Sequence, residues 1–422
     1  MMRGSRHCGN ATSRPLRSRP MPVTAHDVAA AHPAIAPHIQ RTPTIAAPRL
    51  SEMLGTRLHL KLENLQFTGS FKDRGSCLKL QHLMQQPSPP AGVAAASAGN
   101  HAQGVAYHAR RLGLKALIVM PQTTPFSKVE RTEGLGAEVV LRGESVAEST
   151  VHAKELATAR GYAFVHPYDD ERIVAGQGTA AIEMLADQPQ LDTLLIPIGG
   201  GGLCAGMALW ARHQNPAIRI YGVQTSMCPS MHAHLKGQPM PPLFTHTLAE
   251  GIAVKTPGAI PAAILATHLT DVLLVDETDI ETAVQVLAAQ QKVVAEGAGA
   301  AGLAAVMRHA SLFHGHEVGI VICGGNIDRR MLSTVLLRGL KRDGKVAKLR
   351  IAIQDVPGVL ARVTQMIGAT GADIIDIEHQ RLFTHSGPRQ AELDVVMETR
   401  GKAHVEQILA SLQAAGFPAQ VL

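Results

Sequence analysis

The sequence predicts an α/β protein: a doubly wound domain with mostly parallel sheets, followed by a small ferredoxin-like domain of βαββαβ order. Three observations carry this. From about residue 58 to 340 short apolar runs alternate with amphipathic segments, the order that lays helices on both faces of a parallel sheet. Hydrophobic residues make up 45% of the chain but aromatics only 3%, with 39 glycines, so the core is Ala, Val, Ile and Leu around many tight turns. After about residue 340 the pattern changes to strand, helix, strand, strand, helix, strand, the split βαβ arrangement.

Taken in order, Leu58, Leu60 and Leu62 alternate with His59, Lys61 and Glu63, which predicts a half-buried strand. Further strands are predicted at 93–97, 115–120, 137–141, 163–167, 193–198, 220–224, 271–276 and 317–323, with helices such as SVAESTVHAKELATARG and DIETAVQVLAAQQKVV between them. The uncharged run Thr193 to Ala211 contains Pro197 and five glycines. It therefore reads as strand, loop and helix, and no membrane span is expected. The charged stretch RGLKRDGKVAK (338–348) reads as a linker. The resulting division is a basic tail over 1–20, a large domain over 21–340, a linker over 341–347 and a small domain over 348–422.

The net charge of +6 is concentrated in the first twenty residues, which hold five arginines and no acid. The remainder is nearly neutral and has no basic stripe interleaved with aromatics, so a nucleic-acid role is not expected. That leader has no apolar stretch or amphipathic pattern and reads as a disordered tail, with MPVTAHDV from Met21 as an ordinary second start. The five cysteines, Cys8, Cys77, Cys204, Cys228 and Cys323, show neither CxxC nor zinc-type spacing; a reducing cytoplasm and no metal are expected.

Ligands of such sheets sit beyond the carboxyl ends of the strands, and four turns there are notable. In TGSFKDRG, Ser70 with Asp73 three residues on predicts a capping box and places Lys72 in the first helical turn. The helix dipole disfavours an ammonium there, and a lysine of lowered pKa is a nucleophile toward carbonyls; a snorkelling surface lysine is the alternative. In IPIGGGGLCAGMALW, Gly199, Gly200, Gly201 and Gly202 precede a helix starting near Leu203, making a cradle for a single phosphate or a loop packed against a neighbouring backbone. In SAGNHAQG, Ser97, Gly99 and Asn100 open another helix, and serve either as binders of a carboxylate and a phenolic oxygen or as plain caps. In VICGGNID, Cys323 ends an apolar strand, as a weak donor to a heteroaromatic nitrogen or as a buried structural thiol. The stretch GAGAAG (297–302) matches GxGxxG but follows a helical segment, so a nicotinamide site is not expected.

Through LENLQFTGSFKDRG, SAGNHAQG, HPYDD with AGQGT, GGGGL and CGGNID in order, residues 35 to 340 resemble the pyridoxal-phosphate-dependent enzymes of the tryptophan-synthase-β fold type, and among them the threonine ammonia-lyases. The tail, with DVPGVLARV, resembles an ACT regulatory domain. The resemblance implies a two-lobed fold type II domain with pyridoxal 5'-phosphate as cofactor. It further implies that Lys72 forms the Schiff base and later moves the α-proton, that Gly199 to Gly202 and Leu203 hold the phosphate, and that Asn100 bonds the ring oxygen. Cys323 then meets the pyridine nitrogen, Ser97 with Gly99 and Asn100 takes the substrate carboxylate, and the acidic Glu296 lies near the ring.

Two departures stand out. Ala98 replaces the second serine of related racemases, and Gln224 stands where some relatives have a metal-binding glutamate. The expected activity is deamination of L-threonine to 2-oxobutanoate and ammonia, with L-serine as a secondary substrate, in a homo-oligomer controlled by an amino acid, isoleucine first, at the ACT domain. The alternatives are β-replacement or serine racemisation on the same fold, and a noncatalytic amino-acid sensor.

Overall fold

Strands β1 (Thr44–Ala46) and β2 (Arg57–Lys61) begin the largest of three sheets in the computed structural model, which describes residues 23–244, 246–381 and 390–422. Strands β3 (Gly92–Ala96), β4 (Lys115–Met120), β5 (Glu138–Leu141) and β6 (Ala163–Phe164) form a separate parallel sheet in the order β5-β4-β3-β6. The chain then returns with β7 (Thr193–Pro197), β8 (Arg219–Thr225), β9 (Asp271–Val275) and β10 (Glu317–Val321) to complete a six-stranded sheet, β1-β2-β10-β7-β8-β9. Only β1 runs antiparallel to its neighbour there. The basic leader 1–20, with Cys8, lies outside the described residues.

Glycines set how closely the helices behind the large sheet approach. Asp170 caps the helix Glu171–Asp187 by accepting from the N–H groups of Arg172 at 2.9 Å and Ile173 at 3.1 Å. That helix lies between the helices Lys72–Met84 and Gly202–Gln214. A β-carbon on Gly176 would sit 2.7 Å from Gly75 Cα, and one on Gly178 would sit 2.6 Å from the Gly206 oxygen. The AGQGT segment therefore works by lacking side chains. It lets one helix position the two that begin at Lys72 and at the glycine loop.

Strand β2 departs from the half-buried expectation: Leu58 and Leu60 are buried, but so are His59, Lys61 and Glu63. The polar alternates face an ionic cluster instead of water. Arg74 donates to both Glu63 oxygens at 2.7 Å and to Glu183 at 2.9 and 2.7 Å, while Lys61 Nζ donates to Glu183 Oε2 and to the Thr42 oxygen, both at 2.6 Å. Two cations and two carboxylates thus balance in a site closed to water. The predicted capping box is also corrected. Phe71 occupies the N-cap without a side-chain bond, and the Asp73 carboxylate turns back to accept from Thr68 N at 3.0 Å and Thr68 Oγ1 at 2.5 Å.

Other limits shift for local reasons. The predicted strand 163–167 ends at Phe164, since Pro167 has no N–H to extend the ladder. The predicted strand 317–323 ends at Val321, leaving Cys323 just beyond it. The helix predicted through Val294 is α-helical to Val286, widens to a π-turn through Gln291, and ends at Lys292, which is left-handed with φ of 58°. GAGAAG lies within the helix Gly297–Arg308. The stretch read as a linker is mostly regular, because the helix Arg329–Arg342 is held by Arg338 and Arg342 on Glu281 and β11 (Val346–Gln354) starts soon after that helix ends.

β11, β12 (Asp373–Gln380), β13 (Gln390–Glu398) and β14 (Ala419–Val421) make an antiparallel sheet ordered β12-β13-β11-β14, with helices Val359–Ala369 and Lys402–Ala414. This is the ferredoxin-like order, packed around Leu349, Ile351, Ile367, Leu393, Val395 and Ile408. No helix among the described residues is long and apolar enough to cross a membrane.

Removing one partner of the buried cluster strands the others without water. Arg74→Ala is expected to cost about 3–5 kcal/mol, read as a lower denaturant midpoint in equilibrium unfolding of the full chain.

Candidate active site

The site lies beyond the carboxyl ends of β3 in one sheet and of β7 and β10 in another, and Lys72 enters it from the first turn of its helix. Its Nζ donates to the Pro167 oxygen at 2.7 Å and lies 5.0 Å from the Phe71 ring centre. The residue is half-buried. Desolvation brings its pKa down to about 8, against the raising influence of the Glu296 carboxylate. Loss of water around the amine thus lowers it, beside the helix dipole expected at the first turn.

The segment after β10 is laced to the segment before Lys72. Phe71 N donates to the Cys323 oxygen and Gly325 N to the Gly69 oxygen, each at 3.0 Å, and Ser70 pairs with Gly324 as an isolated bridge. Cys323 is therefore brought to Lys72 by main-chain bonds. Its side chain is 3% exposed, and burial pushes its thiol well above the usual range, so it is neutral. Gly69 makes this crossing possible with φ of +73°.

Asn100 begins the helix Asn100–Arg111, whose N-cap is Gly99 with no side-chain bond. The plain-capping alternative is thus not what the Asn100 side chain does. Its Nδ2 donates to Glu296 Oε1 at 2.7 Å, and its Oδ1 accepts from Asn326 Nδ2 at 2.8 Å. Burial raises Glu296 to about 7, with the Asn100 bond opposing. Ser97, half-buried at the end of β3, accepts from Gly99 N at 3.2 Å. A β-carbon on Gly99 would meet nothing within 4 Å, so this turn is open toward the cleft.

The glycine loop closes the opposite wall. Gly201 has φ of +99° and precedes a helix whose first N–H groups, from Gly202 and Leu203, have no partner inside it. A β-carbon on Gly200 would overlap the Tyr168 ring, and one on Gly199 would lie 3.0 Å from the Gly251 oxygen. Tight packing and an open donor array therefore coexist in one loop. Gln224 lies beneath it, fully buried, with Nε2 donating to the Ile198 oxygen at 3.3 Å and Oε1 accepting from His232 N at 2.8 Å.

Asn100, Glu296 and Cys323 are gathered beside Lys72: Asn100 bonds Glu296, Glu296 N donates to the Gly324 oxygen at 3.0 Å, and the Cys323 oxygen accepts from Phe71 N. Sequence reasoning had placed neither Pro167 and Tyr168 of HPYDD nor Asn326 of CGGNID. Pro167 acts through its main-chain oxygen, which leaves no side-chain signature. Tyr168 contributes its ring against Gly200 and donates its hydroxyl to the Thr256 oxygen at 3.0 Å. Asn326 was legible only as part of a quoted motif. A cavity of about 100 Å³ opens on Glu296 and Asn326 and is also lined by Lys128 and Glu250, an ion pair at 2.6 Å.

Residues 35–324 match the family described as pyridoxal-phosphate dependent enzyme. The L-threonine ammonia-lyase of Thermotoga maritima is 38% identical over 401 residues, covering 95% of this chain and 100% of that protein. Among solved structures, a threonine deaminase of T.th. superposes with a TM-score of 0.68 at 37% identity, covering 72% of this chain and 99% of that one. Maize serine racemase gives a TM-score of 0.69 at 30% identity, with 76% and 98% covered.

A lysine lowered to about 8 loses its proton well before ordinary surface lysines. Reductive methylation of the chain, followed residue by residue by mass spectrometry, is expected to show Lys72 labelling rising through that pH while other lysines remain slow.

Proposed function

Because the chain belongs to the pyridoxal-phosphate-dependent enzymes, we propose that it converts L-threonine to 2-oxobutanoate and ammonia, with L-serine to pyruvate as a slower reaction. One water leaves with the β-hydroxyl and one is consumed in releasing ammonia, so the net reaction is balanced. The observation that carries the reading is the neutral-range amine of Lys72, held against Pro167 and joined through the 323–325 crossing to a neutral buried thiol. The cleft fits the cofactor: an uncharged Cys323, a glycine loop with free helix N–H groups, and an amide at Asn100. When bound, pyridoxal phosphate supplies the electron sink that stabilises negative charge at the substrate α-carbon.

The chain's own residues do the rest. Lys72 would hold the cofactor aldehyde through Nζ and, once the substrate amine has displaced it, would take the α-proton at the freed Nζ. The N–H groups of Gly199 to Gly202 and Leu203 receive the phosphate at the positive end of their helix. Cys323, a neutral thiol, would meet the pyridine nitrogen as a weak donor and would offer it no charge-paired proton. Ser97, Gly99 and Asn100 receive the substrate carboxylate in the open turn after β3. Ala98 offers no group to return a proton from the opposite face, so racemisation is slow.

The C-terminal sheet is proposed as an ACT-type regulatory domain that binds an amino acid, isoleucine first, in a dimer or tetramer. Exposed Val356, Leu360 and Ile375 support assembly through this domain. A cavity of about 280 Å³, with Val346, Val405 and Leu409 among its apolar lining and Lys341 and Lys402 beside them, supports small-ligand binding there. A coupling of about 1–3 kcal/mol is the ordinary size of such an effect. The free, buried Cys77, Cys204, Cys228 and Cys323 accord with a cytoplasmic setting.

Purified protein given L-threonine is expected to form 2-oxobutanoate in a coupled assay, and Lys72→Ala to reduce turnover by several orders of magnitude; undiminished turnover in that variant refutes the assignment. Removing residues 345–422 is expected to leave turnover while abolishing the isoleucine response, and a truncated enzyme that still answers isoleucine rules out the regulatory assignment.

A further inference from the structure

The side-chain amides along the cleft are oriented from one fixed end. Asn326 Nδ2 lies 2.7 Å from the main-chain oxygen of Thr68; a carbonyl only accepts, so the group facing it is the amide NH2. The same nitrogen lies 2.8 Å from Asn100, which must therefore present its oxygen. That leaves Asn100 Nδ2 toward Glu296 Oε1 at 2.7 Å. Turning either amide over would bring like groups face to face. Asn326 is also packed in place, since a β-carbon on Gly69 would lie 2.7 Å from its Oδ1, and its main-chain N–H supports Glu296.

We infer that Asn326 is a positioning residue: it fixes the Asn100 amide so that the one N–H not given to Glu296 is the donor offered to the cofactor's ring oxygen. This rests on the pyridoxal-phosphate reading above. The relay joins three parts of the chain, the turn before Lys72, the first residue of the helix Asn100–Arg111, and the N-cap of the helix Gly297–Arg308. Glu296 is faced as well by Lys72, Lys128, Glu250 and Cys323, so its charge alone does not set the direction of the relay. The unflippable acceptor, the Thr68 carbonyl, does.

The isosteric change Asn326→Asp puts an acceptor against two oxygens and forces the Asn100 amide to turn. Full-length protein stripped of cofactor is titrated with pyridoxal phosphate, and the absorption of the bound cofactor is followed across neutral pH. Asn326→Asp is expected to bind the cofactor at least about 10-fold more weakly and to shift the pH dependence of its absorption band, with the melting temperature of the stripped protein little changed. Wild-type affinity and pH dependence in Asn326→Asp overturn the inference. If Asn326→Asp does not fold, Asn326→Ser, which keeps one short donor, is read in its place against the same outcomes. Wild-type stripped protein that takes up no pyridoxal phosphate overturns instead the reading on which both proposals stand.

Discussion

The buried ion cluster around Arg74 is the constraint on which the rest of the molecule depends. Arg74 sits two residues after Lys72 on the same helix, and its guanidinium is fully enclosed between Glu63, which follows β2, and Glu183, on the helix beside it. A planar fork matched to two carboxylates has few alternative geometries. It therefore fixes the rotation of the Lys72 helix about its axis as well as its depth. Whatever leaves the first turn of that helix leaves in one direction, into the cleft.

A second constraint acts through backbone approach instead of charge. Gly75 and Gly176 bring one pair of helices together, and Gly178 and Gly206 the next. The amine and the glycine loop thus hang from the same central helix, one on each flank. Main-chain bonds between residues 69–71 and 323–325 then bring the thiol to the amine. Position in this site is determined mainly by groups that carry no catalytic chemistry.

Much of this was legible in the sequence, and what was not has physical causes. Strand β4 matched its apolar run at 115–120 without change because all of its residues but the first are buried and its neighbours pair along its length. The alternation at Leu58 to Glu63 misled, because a polar face is read as a wet face, and partners more than a hundred residues away in sequence, such as Glu183, leave no local trace. Ser70 and Asp73 had the spacing of a capping box, but Thr68 offered Asp73 both a main-chain and a hydroxyl donor closer to hand. The four glycines, Lys72 and Cys323 were found because their neighbours are strands that point to one crevice. Asn326, equally central, lay in the loop just past Cys323, where no periodicity singles out one residue.

The helix Arg329–Arg342 begins after Asp328, two residues beyond Asn326, and ends shortly before the C-terminal sheet. Its 14 residues span about 21 Å without a break. It is a rod with one end beside the wall of the cleft and the other a three-residue turn short of β11. No long loop lies between the two ends, so the chain has little slack there to absorb a displacement of one against the other.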